Sequence, residues 1–230
     1  MIASPPAQSL FEPGRNCWRL EAAERIAFVI GAEIYFRAAK AAMRRARHSI
    51  LLLAWGYHPR VRLEPGAENH DGPDTMCDLL EELVRTRPEL EVRVLKWNLA
   101  QLFTPMRKML PLFVRARVTS PRLRVCLDGE HPTGACQHQK VLVVDDAIAF
   151  CSGIDFAGNR WDTRAHPDHD PRRRRPNGKP YGPHHDLMMA VDGDAAAALG
   201  DLARERWRRA TGERLAYVTC HRRRGGLMPF

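Results

Sequence analysis

The stretch His138-Gln139-Lys140-Val141-Leu142-Val143-Val144-Asp145 places an imidazole and an ammonium two residues apart. Residues 141–144 are apolar and mostly β-branched, and Asp145-Asp146 supplies a turn, so the stretch reads as a β-strand. Side chains alternate along a strand, which puts His138 and Lys140 on one face, about 7 Å apart. A ring able to attack or to carry a proton then stands beside a fixed cation. Taken alone, His138 could equally be a core histidine satisfied by a carbonyl, and Lys140 a solvated strand-edge charge. Asp145 lies an odd step from His138, so a straight strand turns it to the other face. It anchors the strand end, braces the site from behind, or only makes the turn. A second strand, 147–150, leads into Cys151-Ser152-Gly153-Ile154-Asp155, whose small residues let a substrate or another backbone approach closely.

The elements that must carry these groups follow from periodicity. Residues 32–47 have helical spacing, with Ile34, Ala38, Ala41 and Ala42 recurring at three and four. Residues 49–55 form a continuous apolar run, expected as a buried strand. A loop at 56–73 precedes an amphipathic helix at 74–87 with Asp74 as its cap and Leu79, Leu80 and Leu83 as its stripe. Strands are expected at 91–99 and 123–127, and a helix broken by Pro105 and Pro111 at 101–117. Residues 159–183 make a long connection, expected as a mobile surface loop carrying the run Arg172-Arg173-Arg174-Arg175. A strand at 185–191, a helix at 194–211 with Asp194 as N-cap, and a last strand at 215–220 complete the reading. Alternating strands and helices predict an α/β fold, a mixed β-sheet flanked by helices. The expected division is a flexible arm at 1–16, one domain at 17–220 with its motif at about 132–159 and a basic loop at 160–183, and a tail at 221–230.

The 230 residues suffice for one core, and the formal net charge of +9 favours anionic partners: phosphodiesters, anionic lipid surfaces or nucleic acid. No apolar run approaches the roughly 20 residues that span a bilayer. The first residues lack the basic start and apolar stretch of a signal peptide. The expected location is therefore cytoplasmic or peripheral to a membrane, with export by a non-standard route left open. Six cysteines show no CxxC pairing, and Cys77, Cys126 and Cys151 sit in apolar patterns, so buried reduced thiols are expected. His166, Asp168, His169, His184, His185 and Asp186 carry ligating groups without the regular spacing of a metal site, and neither metal nor other cofactor is expected.

His138-x-Lys140-x4-Asp145, followed by Ser152-Gly153-Ile154-Asp155, resembles the signature of the phospholipase D superfamily, an HxKxxxxD motif and then Gly-Gly-x-Asp. Arg160-Trp161-Asp162-Thr163, His166-Pro167 and His185-Asp186 resemble the segments that follow the first motif in the lipid-cleaving branch. Cys17-Trp18-Arg19, Tyr35-Phe36, His48-Ser49-Ile50 and Trp55 resemble the segments before it. The likeness covers roughly residues 15–220 and points to the N-terminal catalytic half of a lipid-cleaving member. It implies a phosphodiesterase that works through a phosphohistidine without a metal. His138 would be nucleophile or acid, Lys140 would bind phosphate, and Asp145 would support the motif. Ser152, Asp155 and His185 would line or brace the phosphate pocket, Ser152 standing where the family has glycine.

The family brings two such motifs together, and this chain carries one. Three readings follow. The chain is a half whose site is completed in a homodimer, a truncated inactive half, or a module that binds anionic lipid without turnover. The flanking segments favour a phospholipid substrate at a membrane surface, cleaved or transferred at its headgroup ester. The single motif and the positive charge keep a dimeric nuclease as the alternative, with nucleic acid the less favoured partner.

Overall fold

The computed structural model describes residues 10–67, 72–98, 120–132 and 134–217. In chain order the elements are β1 (Ile26–Ile30), α1 (Ala32–Met43), β2 (Ser49–Ala54), α2 (Met76–Thr86), β3 (Glu91–Trp97), β4 (Leu123–Asp128), β5 (Val141–Val144), β6 (Ile148–Ser152), β7 (Leu187–Asp192) and α3 (Gly193–Thr211). The strands form one sheet in the order β1-β7-β6-β5-β2-β3-β4. β2, β3 and β4 run parallel; β5, β6, β7 and β1 join antiparallel. The fold is the expected α/β arrangement of a mixed sheet between helices.

β2 and β5 are apolar without a break because both sheet faces are covered. Alternate residues go to opposite layers. Ile50, Leu52, Leu142 and Val144 pack with Phe36, Leu79 and Leu83 of α1 and α2, whereas Leu51, Leu53, Val141 and Val143 pack with Ala196, Ala203 and Trp207 of α3. Each buried Leu or Val contributes about 1.5–3 kcal/mol. A slip of one residue would exchange the two sets, so packing fixes the strand register.

Several boundaries differ from expectation, for local reasons. α2 begins one turn position later, capped by the Thr75 side chain, which accepts from the Asp78 amide. Asp74 is engaged elsewhere, accepting from the Glu64 amide at 2.7 Å and pairing with Arg62. α3 begins at Gly193 with Asp192 in the cap position, so Asp194 is not the cap; the Asp192 carboxylate takes the Arg25 amide and Nε at 2.7 Å each. β1 was not legible as a strand. It is an edge of the sheet, and of its five residues Val29 alone is buried. The strand expected at 185–191 begins at Leu187. Residues 215–217 are not in a strand, and 218–220 lie outside the described residues, as do residues 1–9 of the arm, the helix expected at 101–117 and the tail at 221–230. None of the five described cysteines is in a disulfide, and no helix among the described residues is long and apolar enough to cross a membrane.

Candidate active site

Strand direction brings the chemistry to one edge of the sheet. There β2, β3 and β6 end and β5 and β7 begin, because Leu53 pairs with Val141, Val141 with Cys151, and Ser152 with Met188. Trp55, Trp97, His138, Lys140, the segment 152–155 and His185-Asp186 therefore share that edge. The C-terminal ends of parallel strands are where such sheets leave room for a ligand.

His138 is exposed, and its ring stands edge-on to Trp55 at 5.5 Å. Trp55 stacks on Trp97 at 5.6 Å, with the rings 14° from parallel. The Trp97 indole N–H donates to His131 Nε2 at 3.0 Å, and His131 Nδ1 lies 3.0 Å from the Pro132 carbonyl, which places the His131 proton on Nδ1. An aromatic wall thus backs His138, and nothing local in the sequence announced it.

Lys140 is only 6 % exposed. Its ammonium donates to the His138 carbonyl at 3.0 Å, sits 5.7 Å from the Trp55 ring, and lies 3.7 Å from Asp155 Oδ2. Asp155 is buried, and neither carboxylate oxygen reaches a hydrogen-bond partner among the described residues. Burial raises its pKa; the nearby Gly56 amide, Lys140, Arg160 and the Trp55 amide pull the other way, the amides without forming well-aligned bonds. The site therefore sets one buried carboxylate beside Lys140 and near Arg160, an arrangement open to an anion.

Ser152, half of the small-residue pair, is exposed beside Lys140, whose carbonyl its amide faces at 3.4 Å. Its φ of +147° is a glycine-type angle, which explains on physical grounds the glycine of the resembled motif. Gly153 cannot carry a side chain: a Cβ would lie 2.1 Å from Asp186 Oδ1. Replacing the strained residue, Ser152→Gly, is expected to raise stability by about 1 kcal/mol in chemical denaturation, since a strained angle costs roughly 1–3 kcal/mol and glycine returns part of that as chain entropy.

Asp145, grouped with His138 and Lys140 by the motif, is not brought to them. It lies at the far end of β5, about 16 Å of strand from Lys140. There its carboxylate accepts the Arg47, His48 and Ser49 amides at 2.7, 2.8 and 2.7 Å, tying β5 to the start of β2.

His185 is exposed and meets the His166 ring edge-on at 5.8 Å. Behind them lies Asp162, a buried carboxylate that accepts from the Thr163 amide at 2.8 Å, the His184 amide at 2.9 Å and Arg173 at 3.0 and 3.2 Å, with His166 Nδ1 at 2.9 Å. Arg173 departs from the expectation of a surface loop at 159–183. It is 1 % exposed, and it also donates to the Pro167 and Asp168 carbonyls at 2.6 Å each, folding the 160–183 loop back onto its own first half. The other three arginines are exposed. No group of three or more His, Cys, Asp or Glu converges as metal ligands among the described residues.

No family profile matches the chain. It is 30 % identical over 142 residues to "Phospholipase D2" of Bos taurus, covering 59 % of this chain and 14 % of that protein. It is 28 % identical over 165 residues to "Phospholipase D B" of Dictyostelium discoideum, covering 67 % of this chain and 13 % of that protein. The chain thus matches about one seventh of these relatives' length. Among solved structures, NucT from Helicobacter pylori shares the fold at a TM-score of 0.51 with 11 % identity, over 80 % of this chain and 96 % of that one. These likenesses support assignment of the chain to the phospholipase D superfamily.

Proposed function

We propose that this chain supplies a catalytic half of a phosphodiesterase that cleaves phospholipid headgroup esters through a phosphohistidine. The observation that carries the reading is an exposed imidazole, His138, and a buried ammonium, Lys140, both set against Trp55 at the ligand edge of the sheet. A ring nitrogen of His138 attacks phosphorus, forming an N–P bond as the P–O bond to the headgroup breaks. The leaving oxygen takes a proton from an acid. Water then attacks the phosphohistidine, releasing phosphatidate and restoring the imidazole. Lys140 and the Ser152 hydroxyl face the phosphoryl oxygens, where negative charge gathers. Asp155 keeps Lys140 in place, and His185 lines the far side.

The acid comes from a second copy of the chain. The motif occurs once here, and one strand face beside the site is uncovered. Ile26, Phe28 and Ile30 of β1 project from the sheet face that α3 leaves bare; Phe28 is 71 % exposed. Leu187, paired with Ile30 and two residues from His185, extends the apolar strip to the site edge. Such a strip beside a half-built site fits a symmetric partner that brings its own motif. The variant Phe28→Lys is expected to halve the mass seen by light scattering and to lower turnover at least 100-fold while leaving the fold intact. A wild-type monomer with full activity, or a Phe28→Lys dimer, rules the arrangement out.

The substrate test is direct. Release of choline from phosphatidylcholine vesicles, with short DNA as competitor, is expected to proceed with little inhibition. Cleavage of the DNA in preference to lipid turns the site into a nuclease. Vesicle binding without release of choline turns the chain into a lipid-binding module.

A further inference from the structure

A second cation stands at this edge unused by the chemistry above. Lys96 is the penultimate residue of β3, paired with Ala54 on β2. By alternation it shares the face of Val92 and Val94, which pack under α1 and α2, and it emerges where their apolar layer stops. It is half-buried, and among the described residues its ammonium has neither a carboxylate within ion-pair distance nor a hydrogen-bond acceptor. Burial lowers its pKa, and the opposing influence is Asp155, the carboxylate that also faces Lys140. His58, near enough to feel the Lys96 charge, is fixed by its amide on the Phe156 carbonyl at 2.9 Å and by its Nδ1 accepting the Arg60 amide at 3.1 Å. That bond leaves Nε2–H as a donor. Burial, then the charges of Arg60 and Lys96, keep this ring neutral.

A half-buried ammonium without a partner is destabilising by itself. Chains keep such groups where a ligand supplies the missing charge. We propose that Lys96, with the His58 N–H near it, is a second phosphate clamp of the site, holding the phosphoryl group from the β3 side as Lys140 does from the β5 side. The inference rests on the phosphodiesterase reading and adds a specificity-determining residue outside the motif. Its ligand class is the phosphodiester group, whatever esterifies it.

The test uses the full chain and inorganic phosphate as probe, with affinity read by titration calorimetry and stability by thermal melting without phosphate. Lys96→Met is expected to weaken phosphate at least tenfold and to leave the melting temperature unchanged or higher. Lys96→Arg, which keeps the charge, is expected to hold affinity within about threefold of the parent. KM for the phosphodiester is expected to rise in Lys96→Met. A Lys96→Met chain that binds phosphate as the parent does, or that melts earlier without it, overturns the inference while leaving the His138 site standing. A parent chain that neither binds phosphate nor cleaves a phosphodiester overturns the site reading itself, and the clamp with it.

Discussion

His138→Ala is expected to lower phosphodiester cleavage by on the order of 10⁴-fold or more, because removal of a nucleophile takes away a step that no neighbouring group replaces. The fold should not notice. The His138 side chain is exposed and meets the Trp55 edge, while its backbone carbonyl, which holds Lys140, is retained by alanine. Melting is therefore expected to shift by no more than about 0.5 kcal/mol, the usual range for such surface changes. The paired measurement separates chemistry from folding. Activity lost with stability kept assigns His138 to the reaction. Acid-labile phosphate trapped on the parent chain during turnover, and absent from His138→Ala, would assign it as the nucleophile. Hydrolysis that survives His138→Ala unchanged rejects the assignment.

Arg173→Met carries the largest expected effect on stability. The guanidinium is 1 % exposed, and it binds both Asp162 oxygens and the Pro167 and Asp168 carbonyls. Its removal leaves the buried Asp162 carboxylate with two amides and His166 but without its buried cation, at a cost of about 3–5 kcal/mol. At about 2–4 °C per kcal/mol for a chain of this size, melting should fall by roughly 10 °C. Arg172→Ala, one residue away on an exposed side chain paired to Asp170, is the control and should cost less than about 1 kcal/mol. The same network positions the His184 amide and the His166 ring, so turnover should fall in Arg173→Met even below its melting range. Equal effects of the two variants would mean that the 160–183 loop is not anchored through Asp162.

What the sequence by itself determined is whatever depends on local period. The unbroken apolar runs of β2 and β5 required a sheet covered on both faces. The period of two separated Asp145 from His138 and Lys140, and the carboxylate does lie at the strand's other end, on the amides of 47–49. The spacing of His138, Lys140, Ser152 and Asp155 was legible because a hairpin returns them to one edge over few residues.

What only the tertiary structure decided depends on how loops and strands fold against one another, whether their partners are near or far in the chain. An arginine in a run of four gives no local sign that it is the buried one; Asp162 and two carbonyls select Arg173. β1 alternates in exposure, but all five of its residues are apolar although its face towards α3 is uncovered, so its sequence shows no polar–apolar alternation that would betray a strand. Trp97 and Lys96 become site residues because parallel pairing of β3 with β2 carries them beside Trp55, over 40 residues away in sequence. Caps follow the same rule. Asp74 faces Arg62 instead of the helix, and Thr75 is left to cap α2. Periodicity is a property of neighbours along the chain, whereas a site is a property of neighbours in space.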